Sequence, residues 1–355
     1  MDKHPFESDE ATPLAGPLIE TLRAVGYDTQ TAVADLIDNS ISAGASNVWL
    51  HFNWDGDNST IDLLDDGSGM NARELIDAMR PGSQSPLETR SEKDLGRFGL
   101  GLKTASFSQC RSLTVISKRE NYAICTRSWD LDYVEQTNRW MLLEYPVLSK
   151  DRERLESLQS GTMIRWNNLD RLVKGTRKEN AQDLDRFMTI MADVRDHLRM
   201  VFHRFLEQGR LSIWLNDRKL EAWDPYLRGF DATQPQPEEV FWEGLVRVKP
   251  YVLPHHSKLD REAFAQAAGP NGWNAQQGFY IYRNERLLVA GSWLGMFKKE
   301  EHCKLARIMI DVPNSMDREW DIDIKKSVAR PLAMLRDELR RIASQITTKR
   351  TEIRN

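Results

Sequence analysis

Asp35-Leu36-Ile37-Asp38-Asn39, Asp65-Asp66-Gly67-Ser68-Gly69-Met70 and Gly96-Arg97-Phe98-Gly99-Leu100-Gly101-Leu102-Lys103-Thr104 follow one another along one stretch of the chain, and their reading decides the fold. Ala32, Val33, Leu36 and Ile37 recur at helical spacing, so Asp35 and Asn39, four residues apart, project from one face of one helix. That face can hold a magnesium ion and a water. The second motif ends an alternating apolar run, Ile61 to Leu64, which reads as a strand running into a glycine turn. Gly67 and Gly69 let the backbone approach a flat ligand, and Asp65 can accept hydrogen bonds from an exocyclic amine such as that of adenine. The third motif sets three glycines before Lys103 and Thr104, so backbone N–H groups, a helix N-terminus and a cation can converge on phosphates.

Each motif alone has a plainer reading. An Asp/Asn pair four apart is commonly a solvated helix face, Asp-Asp-Gly a hairpin turn, and a glycine run a loop or helix cap. Their order and spacing change this, and ATP is the ligand that matches all three.

Together the motifs resemble those of the Bergerat-type ATPase superfamily of gyrase B, the ninety-kilodalton heat-shock chaperone, histidine kinases and MutL, most closely its MORC-like branch. The resemblance implies a general base at Asp35, a magnesium ligand at Asn39 and an adenine contact at Asp65, with Gly67, Gly69 and Met70 beside the base. It implies a lid over about residues 81–101, hinged at Gly96, Gly99 and Gly101 with Phe98 and Leu100 among them. Lys103 and Thr104 are then phosphate contacts, and Thr162 in Ser160-Gly161-Thr162 supports the adenine-binding aspartate. The superfamily usually has Glu where this chain has Asp35. A carboxylate about one methylene shorter has less reach toward a water, which leaves a slow ATPase and a nucleotide-gated switch both open.

At 355 residues the chain exceeds one typical core and suggests two domains. Hydrophobic content of 40% and charged content of 29% describe an ordinary soluble composition. The sequence has no apolar run of about eighteen residues and Met1 to Pro5 shows no signal peptide, so we expect a cytoplasmic location and no membrane partner. Cys110, Cys125 and Cys303 have no metal-ligand spacing and are expected to be reduced. The net charge of −4 argues against nucleic-acid coating by the whole chain, but the charge is uneven. Lys325 to Asn355 holds nine Lys or Arg against three acids, which is either a solvated helix face or a contact surface for phosphate.

In chain order, a helix from Pro17 follows an irregular acidic start that in relatives crosses to a partner subunit and that here reads equally well as a frayed tail. The helix of Asp35 then runs from about Thr29 to Ala43 and ends at Gly44. Asn47 to Phe52 and Ser59 to Leu64 read as paired strands, Ala72 to Met79 as a helix, and Leu113 to Ser117, Tyr122 to Arg127 and Thr162 to Trp166 as further strands. Ala181 to Leu206 reads as a long amphipathic connector. A second domain is expected from Leu211, with a loop at Asp231 to Glu239 and a polar insertion from Pro254 to Gly278 in which His255-His256 is surface. Gly278 to Leu288, strand, Arg-Asn turn and returning strand, resembles the transducer domain of MORC, MutL and gyrase B relatives. The resemblance further implies that Lys325 or Lys326, in Trp320-Asp321-Ile322-Asp323-Ile324-Lys325-Lys326-Ser327, reaches the γ-phosphate. Pro331 to Ile346 reads as a helix with an arginine-rich outer face.

The expected fold class is α/β: a Bergerat-type α/β sandwich ATPase domain over residues 1–178, a connector and ribosomal-protein-like β-α transducer domain over 179–345, and a basic tail over 346–355. The expected function is a switch that takes ATP and Mg2+, closes its lid and forms an ATP-dependent homodimer, with DNA or an effector protein as partner and a phage-defence or restriction context. A chaperone-like clamp on protein clients and a non-hydrolysing scaffold are the alternatives.

Overall fold

The computed structural model describes residues 11–24, 26–82, 101–316, 320 and 333–353. The first part of the chain gives α1 (Ala15–Arg23), α2 (Thr29–Ser42), β1 (Asn47–Asn53), β2 (Thr60–Asp65), α3 (Ala72–Met79), α4 (Gly101–Gln109), β3 (Ser112–Lys118), β4 (Cys125–Asp130), α5 (Leu131–Thr137), α6 (Ser149–Glu156) and β5 (Gly161–Asn167). Then come α7 (Ala181–Val201), α8 (His203–Glu207), β6 (Ser212–Leu215), β7 (Arg218–Lys219), β8 (Gln234–Pro235), β9 (Glu239–Phe241), β10 (Val246–Val252), α9 (Arg261–Ala268), β11 (Gly278–Arg283), β12 (Arg286–Ser292), β13 (Ala306–Val312) and α10 (Ala333–Ile353).

Local chemistry sets the elements around the site. Asp28 caps α2 by accepting from the Thr31 N–H, and α2 closes into Gly44 at φ +76°. Asn71 and Glu74 form a reciprocal capping box at the start of α3. Strand β2 alternates: Ile61 and Leu63 face the main core, whereas Asp62 and Leu64 face the other side. Buried there, Asp62 and Asp151 both accept from Arg165 on β5.

Seven strands form the first sheet, in the order β4-β3-β5-β2-β1-β6-β7. Helices α2, α4 and α7 cover one face, where Val33, Ile37, Phe107, Trp166, Val194 and Leu198 share a core. Leu155 of α6 packs on the opposite face with Leu64, Ile116 and Met163. The second sheet runs β12-β11-β13-β10-β8, with β9 also on β10. Leu335, Leu339 and Ile342 of α10 cover one of its faces, and a cluster of Tyr226, Tyr251, Tyr280 and Tyr282 with Met200 of α7 lies on the other.

The structure departs from the sequence reading in several elements, among them the expected loop at Asp231 to Glu239, which holds the short β8 paired with β10. Strand β6, expected to open the second domain, pairs in parallel with β1 and so belongs to the first sheet. Helix α7, expected as a connector, is packed into the first core through Phe187, Val194 and Leu198. Strand β4 begins three residues later than expected, after a turn in which Asn121 takes φ +66°. The polar insertion holds α9, capped by Asp260 and anchored by Ala267 and Trp273. The acidic residues 1–10, most of the expected lid and the 325–326 lysine pair lie outside the described residues.

Among the described residues no helix is long and apolar enough to cross a membrane. Cys110, Cys125 and Cys303 are buried and in no disulfide.

Candidate functional site

The candidate residues gather along α2. From Ala32 to Ser40 every residue is buried except Asn39, which is exposed. Asp35 is 3% exposed and lies near the start of α4. A Cβ built on Gly101 would lie 3.9 Å from Oδ2 of Asp35, so the first turn of α4 lies beside that carboxylate. Oδ1 of Asp35 stands 3.9 Å from a guanidinium nitrogen of Arg286, on β12 of the second sheet.

Asp65, at the end of β2, is buried and accepts from protein donors. Oδ1 accepts from the Gly67 N–H at 2.9 Å and Oδ2 from the Ser40 hydroxyl at 2.8 Å. Burial pushes its carboxyl above the usual carboxylate range, while the bonds from Gly67, Ser40 and the Thr162 N–H pull it back. Ser40 lies one residue after Asn39, so a single hydrogen bond ties the helix of Asp35 to the strand of Asp65. Asp66 differs: it accepts from the Ser46 and Asn47 N–H groups at 2.8 Å each and fastens the start of β1.

Thr162 stands opposite Asp65 in the β2–β5 register, and its hydroxyl is 2.9 Å from that of Ser117. Ser117 in turn accepts from the Met70 N–H at 2.8 Å. The two glycines of the turn are demanded by close protein neighbours. Gly69 has φ +62°, and an added Cβ would fall 1.9 Å from the Lys118 carbonyl oxygen. At Gly67 the added atom would meet the Ala43 side chain at 2.9 Å.

Lys103 is not beside Asp35. Its ammonium group donates to the Ala78 carbonyl at 2.9 Å, near the C-terminus of α3, and burial lowers its pKa to about 8. Thr104 is buried on α4, and Leu102 is partly buried beside it. The structure therefore sets Gly101 beside Asp35, links Asp65 with Gly67 and Thr162 and, through Ser117, with Met70, leaves Asn39 exposed on α2, and turns Lys103 toward α3. Gly96, Phe98, Gly99, Leu100, Lys325 and Lys326 lie outside the described residues.

Sequence reasoning missed Ser40, Ser117 and Arg286. The two serines carried a signal in hindsight: each follows the apolar pattern of its element into a buried position, where a hydroxyl needs a partner. Arg286 carried none, because its partner Asp38 is 248 positions away.

Residues 27–162 match the family described as histidine kinase-, DNA gyrase B- and HSP90-like ATPase. The chain is 30% identical over 90 residues to the ATPase morc-1 of Caenorhabditis elegans, covering 25% of this chain and 10% of that protein. It is 29% identical over 216 residues to the chaperone protein HtpG of Rickettsia canadensis (strain McKiel), covering 58% of this chain and 31% of that one. The chain thus spans less than a third of either curated relative's length. Among solved structures, the ATPase and transducer domains of DNA topoisomerase II from Balamuthia mandrillaris align over 91% of this chain and 84% of that one, at 14% identity and a TM-score of 0.49. The motif order and this match agree: residues 27–162 carry the similarity to the histidine kinase-, DNA gyrase B- and HSP90-like ATPase family.

Proposed function

We propose that the chain is a magnesium- and ATP-dependent conformational switch with slow ATPase activity, which pairs with a second copy on binding ATP and acts on DNA. One observation carries this reading: a single helix bears Asp35 and Asn39 and, through Ser40, holds Asp65 in place. Base, metal ligand and adenine contact are then set by one rigid element.

The residues fit the groups they would hold. A carboxylate has about four acceptor positions, and Ser40, Gly67 and Thr162 occupy three at Asp65, leaving room for one exocyclic amine. Asn39, exposed between the buried Asp38 and Ser40, would hold the magnesium ion, which would supply charge neutralisation at the phosphates. Asp35 accepts the proton of the attacking water, with the glycine at position 101 leaving space on its Oδ2 side. The N-terminal N–H groups of α4 meet phosphate oxygens, and Lys103 joins them only by giving up the Ala78 carbonyl. Either Lys325 or Lys326 tells ATP from ADP.

The test is an Asp35→Asn chain. Hydrolysis should fall about a hundredfold or more while affinity for a non-hydrolysable ATP analogue survives, and the analogue should double the particle mass in solution. Turnover at the unmodified rate would remove Asp35 from the chemistry, and an unchanged mass would remove the dimer. The similarity to HtpG over 216 residues favours a second reading, a clamp on protein clients, which requires client binding insensitive to salt.

A further inference from the structure

Arg286 opens β12 in the second sheet, yet its side chain ends on α2 in the first. It is 2% exposed. Its Nε is 3.1 Å from each oxygen of Asp38, and Nη1 donates to the Leu287 carbonyl at 2.9 Å. Nη2 has no hydrogen-bond acceptor among the described residues and stands 3.9 Å from Oδ1 of Asp35. The guanidinium also lies 5.8 Å from the ring centre of Phe202. Burying an arginine costs free energy unless its charge is matched, and here the match is two carboxylates one turn apart on another sheet's helix.

The helix geometry makes this contact directional. At about 100° per residue, Asp38 lies roughly 60° to one side of Asp35 and Asn39 roughly 40° to the other. Asn39 faces outward, Asp38 faces the second sheet, and Asp35 stands on the seam between them. Rolling α2 by even part of a turn would carry Asp35 away from Gly101. A short aspartate side chain cannot compensate by extending, so its placement depends on how the helix itself is held.

We propose that Arg286 is a positioning residue through which the second sheet fixes the roll of α2 and holds the Asp35 carboxylate beside Gly101. Hydrolysis is then available only while β12 is seated against α2. The inference rests on the reading of Asp35 as the base. Without the guanidinium, Asp38 loses the cation it holds and Asp35 the one that stands 3.9 Å away, and with them goes this charged link from the helix to the second sheet.

The test compares the full chain with Arg286→Met, Arg286→Lys, Asp38→Asn and the Arg286→Met/Asp38→Asn double variant, each confirmed folded by its melting transition. Expected for Arg286→Met is a loss of kcat of about tenfold or more, with KM and affinity for a magnesium-bound ATP analogue within about twofold. Arg286→Lys should recover part of the loss because the charge returns. Asp38→Asn approaches the contact from the other side, and the double variant should lose no more than the worse single one, because the pair acts as a unit. Turnover within about twofold in both single variants, or equal losses in turnover and affinity, would overturn the proposal. If the unmodified chain binds the analogue without hydrolysing it, the base assignment fails by itself. The contact is then read from amide exchange at residues 33–40: analogue-induced protection that disappears in Arg286→Met supports it, and protection unchanged overturns it.

Discussion

Ser40 on α2 donates its hydroxyl hydrogen to Asp65 at the end of β2 across 2.8 Å, and both residues are buried. Ser40→Ala leaves a buried carboxylate oxygen short of a donor, at a cost of about 1–3 kcal/mol. The missing bond is one of those that lower the Asp65 pKa, so the carboxyl shifts further toward its protonated form, which accepts less well from an amine. We expect a lower melting temperature and about tenfold weaker ATP-analogue binding by calorimetric titration. Ser40→Thr, which keeps the hydroxyl, should retain most of the affinity. Unchanged binding in Ser40→Ala would detach Asp65 from the ligand.

Gly69 gives a sharper stability test. A methyl group there would meet the Lys118 carbonyl at 1.9 Å on a backbone already at φ +62°. Gly69→Ala should destabilise the first domain by roughly 1–3 kcal/mol from strain alone, and more if the β3 end cannot yield. Chemical denaturation monitored at tryptophan reads this directly. Gly175→Ala, which has nothing within 4 Å but a φ of +78°, separates the steric part from the conformational part. Equal costs at the two positions would mean that Lys118 gives way freely.

Acid sensitivity follows from His197 on α7. Burial first, then the Arg286 charge, lower its pKa from 6.5 to about 4, against the opposing effect of Asp28 and Asp38. Between those values the unfolded chain binds a proton that the folded chain does not, so stability rises with pH across this window and is lost as pH falls through it. The full loss from this group is on the order of 3 kcal/mol at most. His197→Gln should flatten the dependence of melting temperature on pH between 6.5 and 4, and an unaltered slope would assign acid lability elsewhere.

The DNA reading is tested on α10. Arg336, Arg340 and Arg341 are exposed, and Arg341 is held by Glu338 at 2.8 Å and by Glu239. Replacing all three by Ala should reduce the slope of log affinity against log salt by roughly 0.9 for each phosphate no longer neutralised, without regard to DNA sequence. Glu239→Gln removes a competing carboxylate and should strengthen binding. Absence of duplex binding at about 50 mM salt, with or without ATP analogue, would favour the protein-client clamp.

Much of the site was legible because its signals are local. The spacing of Val33, Leu36 and Ile37 placed α2 to within a residue of its observed end, and α3 was read without error from a capped apolar run. What was not legible depends on partners distant in sequence. Nothing within Ser212–Leu215 says which sheet it will join, since any short apolar strand pairs equally well until a neighbour is chosen. Lys103 follows a glycine run as a phosphate contact would, but its present acceptor is a carbonyl on α3 that no motif announces. The sequence reading gave neither Arg286 nor Asp38 a partner, and only the docking of β12 on α2 makes them a pair.

The late arrival of β6 matters most while the protein is being made. Strand β1 has β2 on one side, but its other side stays open until Ser212–Leu215 has left the ribosome. At translation rates of roughly 5–20 residues per second, that interval is on the order of ten seconds. Throughout it, Val48, Leu50 and Phe52 sit on a strand whose second row of backbone N–H and carbonyl groups is unclaimed, which is the geometry that invites pairing with another nascent chain. A chain stopped before residue 212 would keep that edge permanently, so fragments ending near residue 178 should aggregate where those reaching beyond Leu220 stay monomeric.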